Sequence, residues 1–210
     1  IGIQNFEKIR KEGYFYIDKT ALIYRLVKTG SYYFLSRPRR FGKSLLISTL
    51  DAYFRGEKEL FKGLAIEKLE KDWVQRPVLH IDLNIGKYDA PDSLDKILNE
   101  ALVKWESVFG TGAGESTLAL RFKGVVERAY KQSGQRVAIL VDEYDKPLLQ
   151  AIGNEELQRE YRNTLKPFYG VLKTMDGCIQ FAMLTGVTKF GKVSVFSDLN
   201  NLEDLSMWNE

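Results

Sequence analysis

Lys43 and Ser44 close the stretch Arg37-Pro38-Arg39-Arg40-Phe41-Gly42-Lys43-Ser44, and Asp142 and Glu143 follow the apolar run Val137-Ala138-Ile139-Leu140-Val141. The first stretch matches the second half of the phosphate-loop pattern G-x-x-x-x-G-K-[ST]. Residues of these types have a definite chemistry. Gly42 lets the backbone wrap close to phosphates, the amides at a helix start offer unpaired donors, and Lys43 places a positive charge near the β and γ phosphates. Ser44 would give its hydroxyl to Mg²⁺. Asp142 would hold the Mg²⁺ shell through water, and Glu143 would orient and partly deprotonate the water that attacks the γ-phosphate of ATP. An isolated Gly-Lys-Ser is more often a basic surface turn, and an isolated Asp-Glu more often a helix cap. Together the two motifs make nucleotide binding the better explanation. The departure is Arg37, which stands where the pattern expects glycine.

Other residues carry open readings. Leu184-Thr185-Gly186 ends a further strand-like run, so the Thr185 hydroxyl would sit beside the acidic pair, either sensing the γ-phosphate and positioning water or capping the strand end. Asp145 either extends the acidic cluster or caps the segment before Pro147. Arg39 and Arg40 contact phosphates or a partner, or form a solvated basic face. Arg159 and Arg162 read as an exposed helix face before they read as a trans-acting arginine. A lone histidine in an apolar strand, His80, is expected to be a satisfied core side chain, and Cys178 a structural one. One His and one Cys do not make a zinc site.

The elements that must position these groups follow from periodicity. Residues 32–35 form a short β-prone run, residues 36–41 are irregular, and Leu45, Leu46, Leu50, Tyr53 and Phe54 recur at helical spacing, which predicts strand, loop, helix. Residues 77–83, 137–141 and 179–184 predict further strands, the middle one apolar throughout as in a strand covered on both faces. Helical stretches over Ser93–Phe109, Leu118–Ser133 and residues 155–175 alternate with them, as in a parallel α/β sheet. Residues 22–27 predict a lead-in helix, and the glycine run 110–114 a surface loop.

A chain of 210 residues with 44% hydrophobic residues builds one core, so the expectation is a single domain over residues 1–210 with residues 1–30 as its lead-in. The net charge of +3 balances 31 basic against 28 acidic side chains, so no global field draws the protein to nucleic acid. No run reaches the length needed to span a bilayer, and one cysteine makes no internal disulfide, which together predict a cytoplasmic protein without a membrane partner. The absence of an initiator Met and of a terminating element suggests a fragment of a longer chain.

Tyr16-Ile17-Asp18-Lys19-Thr20, the stretch from Arg37 to Leu45, Val141-Asp142-Glu143-Tyr144-Asp145-Lys146-Pro147, Leu184-Thr185-Gly186-Val187-Thr188-Lys189-Phe190 and Ser194-Val195-Phe196-Ser197-Asp198-Leu199-Asn200-Asn201-Leu202 together resemble the AAA-ATPase-like family. The resemblance covers nearly the whole chain, and the family's Arg-Pro-Arg-Arg-Phe-Gly-Lys-Ser form accounts for Arg37. It implies a P-loop NTPase fold, three-layer α/β/α with a mainly parallel sheet of strand order 5-1-4-3-2, the additional strand lying between the phosphate-loop and acidic strands. ATP and Mg²⁺ are the implied ligands. Arg37, Pro38, Arg39, Arg40, Phe41, Gly42, Lys43, Ser44 and Leu45 are the implied nucleotide contacts, Ser44 and Asp142 the metal ligands, and Glu143, Lys43 and Thr185 the catalytic set. Family members often continue into a region resembling a PD-(D/E)XK nuclease, so nucleic acid would be reached only through residues absent here. A homo-oligomer or another protein partner is compatible with the pattern. The expected activity is Mg²⁺-dependent ATP hydrolysis; the alternative is a nucleotide-binding interaction module with negligible turnover. The acidic pair argues against a small-molecule kinase.

Overall fold

The structure, a computed structural model, describes residues 2–189 and 195–207. Ile1, Phe190, Ser194 and residues 208–210, all touched by the sequence expectations, lie outside the described residues. Five strands, β1 (Tyr32–Ser36), β2 (Val78–Asp82), β3 (Val137–Asp142), β4 (Ile179–Gly186) and β5 (Glu203–Asp204), form one sheet in the order β2-β3-β4-β1-β5. Every neighbouring pair is parallel. This is the expected 5-1-4-3-2 order read from the opposite edge, with β4 as the strand inserted between β1 and β3.

The helices are α1 (Phe6–Lys11), α2 (Thr20–Thr29), α3 (Lys43–Phe54), α4 (Ala65–Leu69), α5 (Ser93–Phe109), α6 (Leu118–Ser133), α7 (Lys146–Gln150) and α8 (Glu155–Thr174). Period-two alternation along the strands divides the apolar side chains between two layers. Tyr33, Leu140 and Met183 pack with Phe6 of α1, Ile23 of α2 and Leu50 of α3. Tyr32, Ile139 and Leu184 pack with Leu98 of α5, Val125 of α6 and Leu165 of α8. All six residues of β3 are buried, which is why its sequence is apolar without alternation. Each fully buried Val, Leu or Ile contributes about 1.5–3 kcal/mol to holding the layers together.

Local signals agree with these bounds. Asn154 caps α8 by accepting from the Leu157 amide at 3.1 Å, and Thr117 caps α6 through the Leu120 amide at 3.1 Å. The glycine run 110–114 connects α5 to α6, which are further joined by the Arg121–Glu106 pair at 2.7 Å. His80 departs from the expectation. Because β2 is the sheet edge, the ring is not enclosed: its side chain is 30% exposed and its Nδ1 lies 2.8 Å from Asp51 Oδ2. It is satisfied by a carboxylate instead of being packed in the core.

Candidate functional site

A parallel sheet delivers all its strand ends to one edge, so the residues after β1, β2, β3 and β4 gather there whatever their distance in sequence. At the end of β1 the Arg37 amide still pairs with the Gly186 carbonyl at 3.1 Å. The chain then turns and enters α3 at Lys43, with Gly42 as its N-cap at φ +76°. The first intrahelical bond runs from the Leu46 amide to the Gly42 carbonyl at 2.9 Å. The amides of Lys43, Ser44 and Leu45 therefore have no helical acceptor and form the positive end of a 12-residue helix.

The loop accommodates arginine at position 37 for a backbone reason. Its left-handed positions are Arg40, at φ +68°, and Gly42; neither Arg37 nor Phe41 has a positive φ. Glycine is thus not required at 37, and the strain falls on Arg40. Alternation in the sign of φ over residues 40–42 is the pattern that turns successive amides towards one concave side, as in anion-binding nests.

Lys43 is only 4% exposed. Its ammonium donates to the carbonyls of Arg37 at 3.0 Å and Pro38 at 3.2 Å and pairs with Glu143 Oε1 at 3.3 Å. Glu143 follows β3 in a left-handed conformation, φ +56°, a cost of about 1 kcal/mol or more that a rigid surrounding must hold. Burial pushes its carboxyl above the ordinary glutamate value; the Lys43 ammonium opposes that shift and the negative charges of Asp142 and Asp145 add to it.

Thr185, fully buried at the end of β4, ties the acidic pair together. Its hydroxyl donates to Asp142 Oδ1 at 2.5 Å and accepts from the Glu143 amide at 3.4 Å. The Tyr144 amide in turn donates to the Thr185 carbonyl at 2.8 Å. These contacts hold Asp142 and Glu143 relative to β4, a role that neither sequence reading of Thr185 included.

The second half of the Asp142–Asp145 motif faces elsewhere. Asp145, 1% exposed, accepts from the amides of Val187 (3.1 Å) and Thr188 (2.8 Å) and from the Thr188 hydroxyl (2.9 Å). Tyr144 donates its hydroxyl to the Thr188 carbonyl at 2.9 Å. Asp145 thus secures the exit of β4 through its hydrogen bonds, while its charge still acts on Glu143. Gly186 is required there by close approach, since a Cβ would overlap the Tyr144 ring and come within 2.8 Å of Asp145 Oδ1.

Ser44 and Asp142 open onto one cavity of about 640 Å³, whose lining also includes Asp82, His80 and Asp51. Asp82 stands opposite Asp142 in the β2–β3 register. Burial raises its carboxyl above the ordinary aspartate value, and Asp142 adds to the shift while the Asn84 amide opposes it. The sequence reading gave Asp82 no role, although the strand-end rule that selected Asp142 applies to it equally. No three His, Cys, Asp or Glu side chains converge as a metal cluster among the described residues. One hydroxyl and one carboxylate beside a cavity suit Mg²⁺, which keeps several waters and takes phosphate oxygens as ligands.

The remaining expected contacts are distributed as follows. The Arg37 guanidinium donates to the Ser206 carbonyl at 2.6 Å, so its side chain reaches the β5 region. Pro38, Arg39, Arg40 and Phe41 are exposed, and Leu45 is half-buried in the first turn of α3. On α8, Arg159 is exposed and Arg162 donates to Gln158 at 3.1 Å.

The family model described as "Predicted AAA-ATPase" matches residues 1–196. The chain belongs to the AAA-ATPase-like family. It is 44% identical over 209 residues to the "Uncharacterized protein in vnfD 5'region" of Azotobacter chroococcum mcd 1, a match that takes in 99% of this chain and 40% of that protein. The AAA-ATPase-like chain therefore spans about two fifths of that relative. Its all-parallel five-stranded sheet is consistent with the P-loop NTPase α/β/α fold, and no helix among its described residues is long and apolar enough to cross a membrane.

Two further motif residues, Asp18 and Thr20, act by position. Asp18 Oδ1 accepts from the Thr20 amide (2.9 Å) and hydroxyl (2.6 Å), and Asp18 Oδ2 accepts from the Ala65 amide at 2.7 Å. Thr20 Oγ1 accepts from the Ile66 amide at 3.1 Å. The pair joins the start of α2 to the start of α4 and fixes the preceding extended segment.

Proposed function

We propose that this chain binds ATP with Mg²⁺ and hydrolyses the terminal phosphate. The observation that carries the proposal is the convergence of Lys43, Ser44, Asp142 and Glu143 at one sheet edge, with Lys43 and Glu143 3.3 Å apart. The α3 amides and the Lys43 ammonium bind phosphate oxygens, which requires the ammonium to exchange its loop carbonyls for them. Ser44 and Asp142 would hold Mg²⁺, which supplies charge neutralisation on the phosphates when bound. Glu143 orients the attacking water and accepts its proton; Thr185 keeps Asp142 and Glu143 in place. A reducing, cytoplasmic setting suits the free thiol of Cys178.

A near-isosteric change tests the assignment. In Glu143→Gln the carboxylate is lost and the shape kept, so ATP affinity is retained while turnover falls by about 100-fold, the scale of losing a general base. Equal turnover in parent and variant contradicts the role given to Glu143. One observation favours the second reading, a nucleotide-binding module with negligible turnover: the Glu143 carboxylate is held by Lys43 and must be released before it can serve water. Parent protein that binds ATP without hydrolysing it establishes that alternative.

A further inference from the structure

Strand β2 is an edge of the sheet, and among the described residues it pairs with β3 alone. Successive residues of a strand turn their peptide groups to opposite sides in the plane of the sheet. The Ala138 amide donates to the Pro77 carbonyl at 2.9 Å, which turns the backbone of Pro77 and Leu79 towards β3 and the N–H and C=O groups of Val78 and His80 outwards. Those outward groups have no hydrogen-bond partner among the described residues. Unpaired donors and acceptors along an edge are a template for another strand.

The edge is also shaped and charged. A groove of about 580 Å³ follows Val78 and His80 between the two helix layers. Arg55, which caps α3, lines it from one layer, and Val108 and Phe109 of α5 line it from the other. Val108 is 68% exposed, so apolar surface stands in water beside the free backbone. Arg55, Arg76 and Lys104 line the groove and no carboxylate does. Arg55 is paired with Asp51. Arg76 donates to neutral oxygens, the Gln135 carboxamide at 3.3 Å and the Arg136 carbonyl at 3.4 Å, and Lys104 is exposed. Neither Arg76 nor Lys104 has a carboxylate partner among the described residues.

We propose that the β2 edge is the docking site for an extended acidic segment of a partner protein, which adds to the sheet beside β2. The outward peptide groups of Val78 and His80 supply hydrogen bonds that any sequence can make. Side chains of the added strand give the selectivity: apolar ones rest on Val108 and Phe109, and carboxylates meet Arg76 and Lys104. A second copy of this chain is the poorer occupant, because pairing two β2 edges brings two sets of basic side chains together, and like charge along an edge opposes such pairing. The proposal does not depend on nucleotide binding.

The probe is an amidated octapeptide of alternating valine and glutamate with fluorescein at its N-terminus. It is titrated into the parent and into the double variant Lys104→Glu, Val108→Glu, with anisotropy reporting binding and hydrogen exchange reporting the protein amides. Both substituted side chains are exposed, so an unchanged thermal midpoint shows that the variant folds. The parent should bind saturably, and the amides of Val78 and His80 should become protected. Two control peptides should bind about 10-fold more weakly or worse: the valine–lysine counterpart, and the valine–glutamate peptide N-methylated at its valines, which keeps the charge and loses donors. The double variant should lose affinity on the order of 10-fold, the scale of reversing one exposed charge and removing one apolar contact. Equal affinity for the lysine peptide overturns the proposal on charge. Equal affinity for the methylated peptide, or binding without protection at Val78 and His80, overturns strand addition. No binding by the parent overturns the site itself, and a doubled mass by light scattering that the double variant lacks then assigns the edge to contact between copies.

Discussion

Glu143 combines three properties at one residue: a left-handed backbone at φ +56°, a partly buried carboxylate, and an ion pair to Lys43. Burial raises its proton affinity, so catalysis that needs the ionised form must gain rate as pH climbs through a value above the ordinary glutamate range. The acid limb of the turnover profile should therefore lie above that range in the parent. Stability moves the opposite way. The folded protein holds this proton more tightly than the unfolded chain, so the contribution is fully present below the unfolded pKa and is lost as pH rises through the folded one. Relative to Glu143→Gln, the parent should lose stability over that window and stay parallel to the variant above it; denaturant titrations at several pH values measure this. Asp142 offers a second test at the same scale. In Asp142→Asn the amide oxygen can still accept from Thr185, so the geometry survives while the charge goes. ATP binding with Mg²⁺ should weaken more than binding without it; equal losses in both conditions contradict a metal role.

At the level of elements, the exits of β3 and β4 are locked to each other, and the lock is separate from the chemistry. Asp142 meets Thr185 and Glu143 pairs with Lys43, whereas Tyr144 and Asp145 grip residues 187 and 188. Asp145→Ala removes a charged acceptor from two amides and a hydroxyl, and should lower stability by about 2 kcal/mol. A denaturant midpoint unchanged by the substitution contradicts the lock. These elements differ in how far sequence revealed them. Apolar runs and helical periodicity sufficed for β3, α5, α6 and α8, because each buries a continuous stripe or face. The sequence reading did not reach α1 or α4, short helices held by tertiary contact, and pattern alone gave no sign of the two-residue β5. Asp18 had no readable chemistry because one of its partners, the Ala65 amide, lies 47 residues away. Arg37 was read as a loop contact from its place in the motif; that its guanidinium reaches Ser206 depends on β5 lying beside β1. His80 was misread for a related reason: an edge position is a property of the sheet and not of the strand.

For the whole molecule, the order β2-β3-β4-β1-β5 sets the loop over residues 37–42 and the acidic pair on strands that are not neighbours, with β4 and its Thr185 between them. That arrangement lets one threonine hydroxyl register the acidic pair against a strand that also pairs with β1. Two cavities border the start of α3, one lined by Ser44 and Asp142 and one lined by Phe41 and Leu45. Everything in the functional account depends on the lysine between them. In the proposed account its ammonium is the buried side-chain cation at the start of α3, so its loss leaves part of a triphosphate's charge uncompensated. Calorimetric titration of the parent and of Lys43→Ala with MgATP is the most direct test. The account predicts saturable binding by the parent and a loss of most of that affinity in the variant, with folding retained; a variant that binds MgATP as tightly as the parent contradicts it.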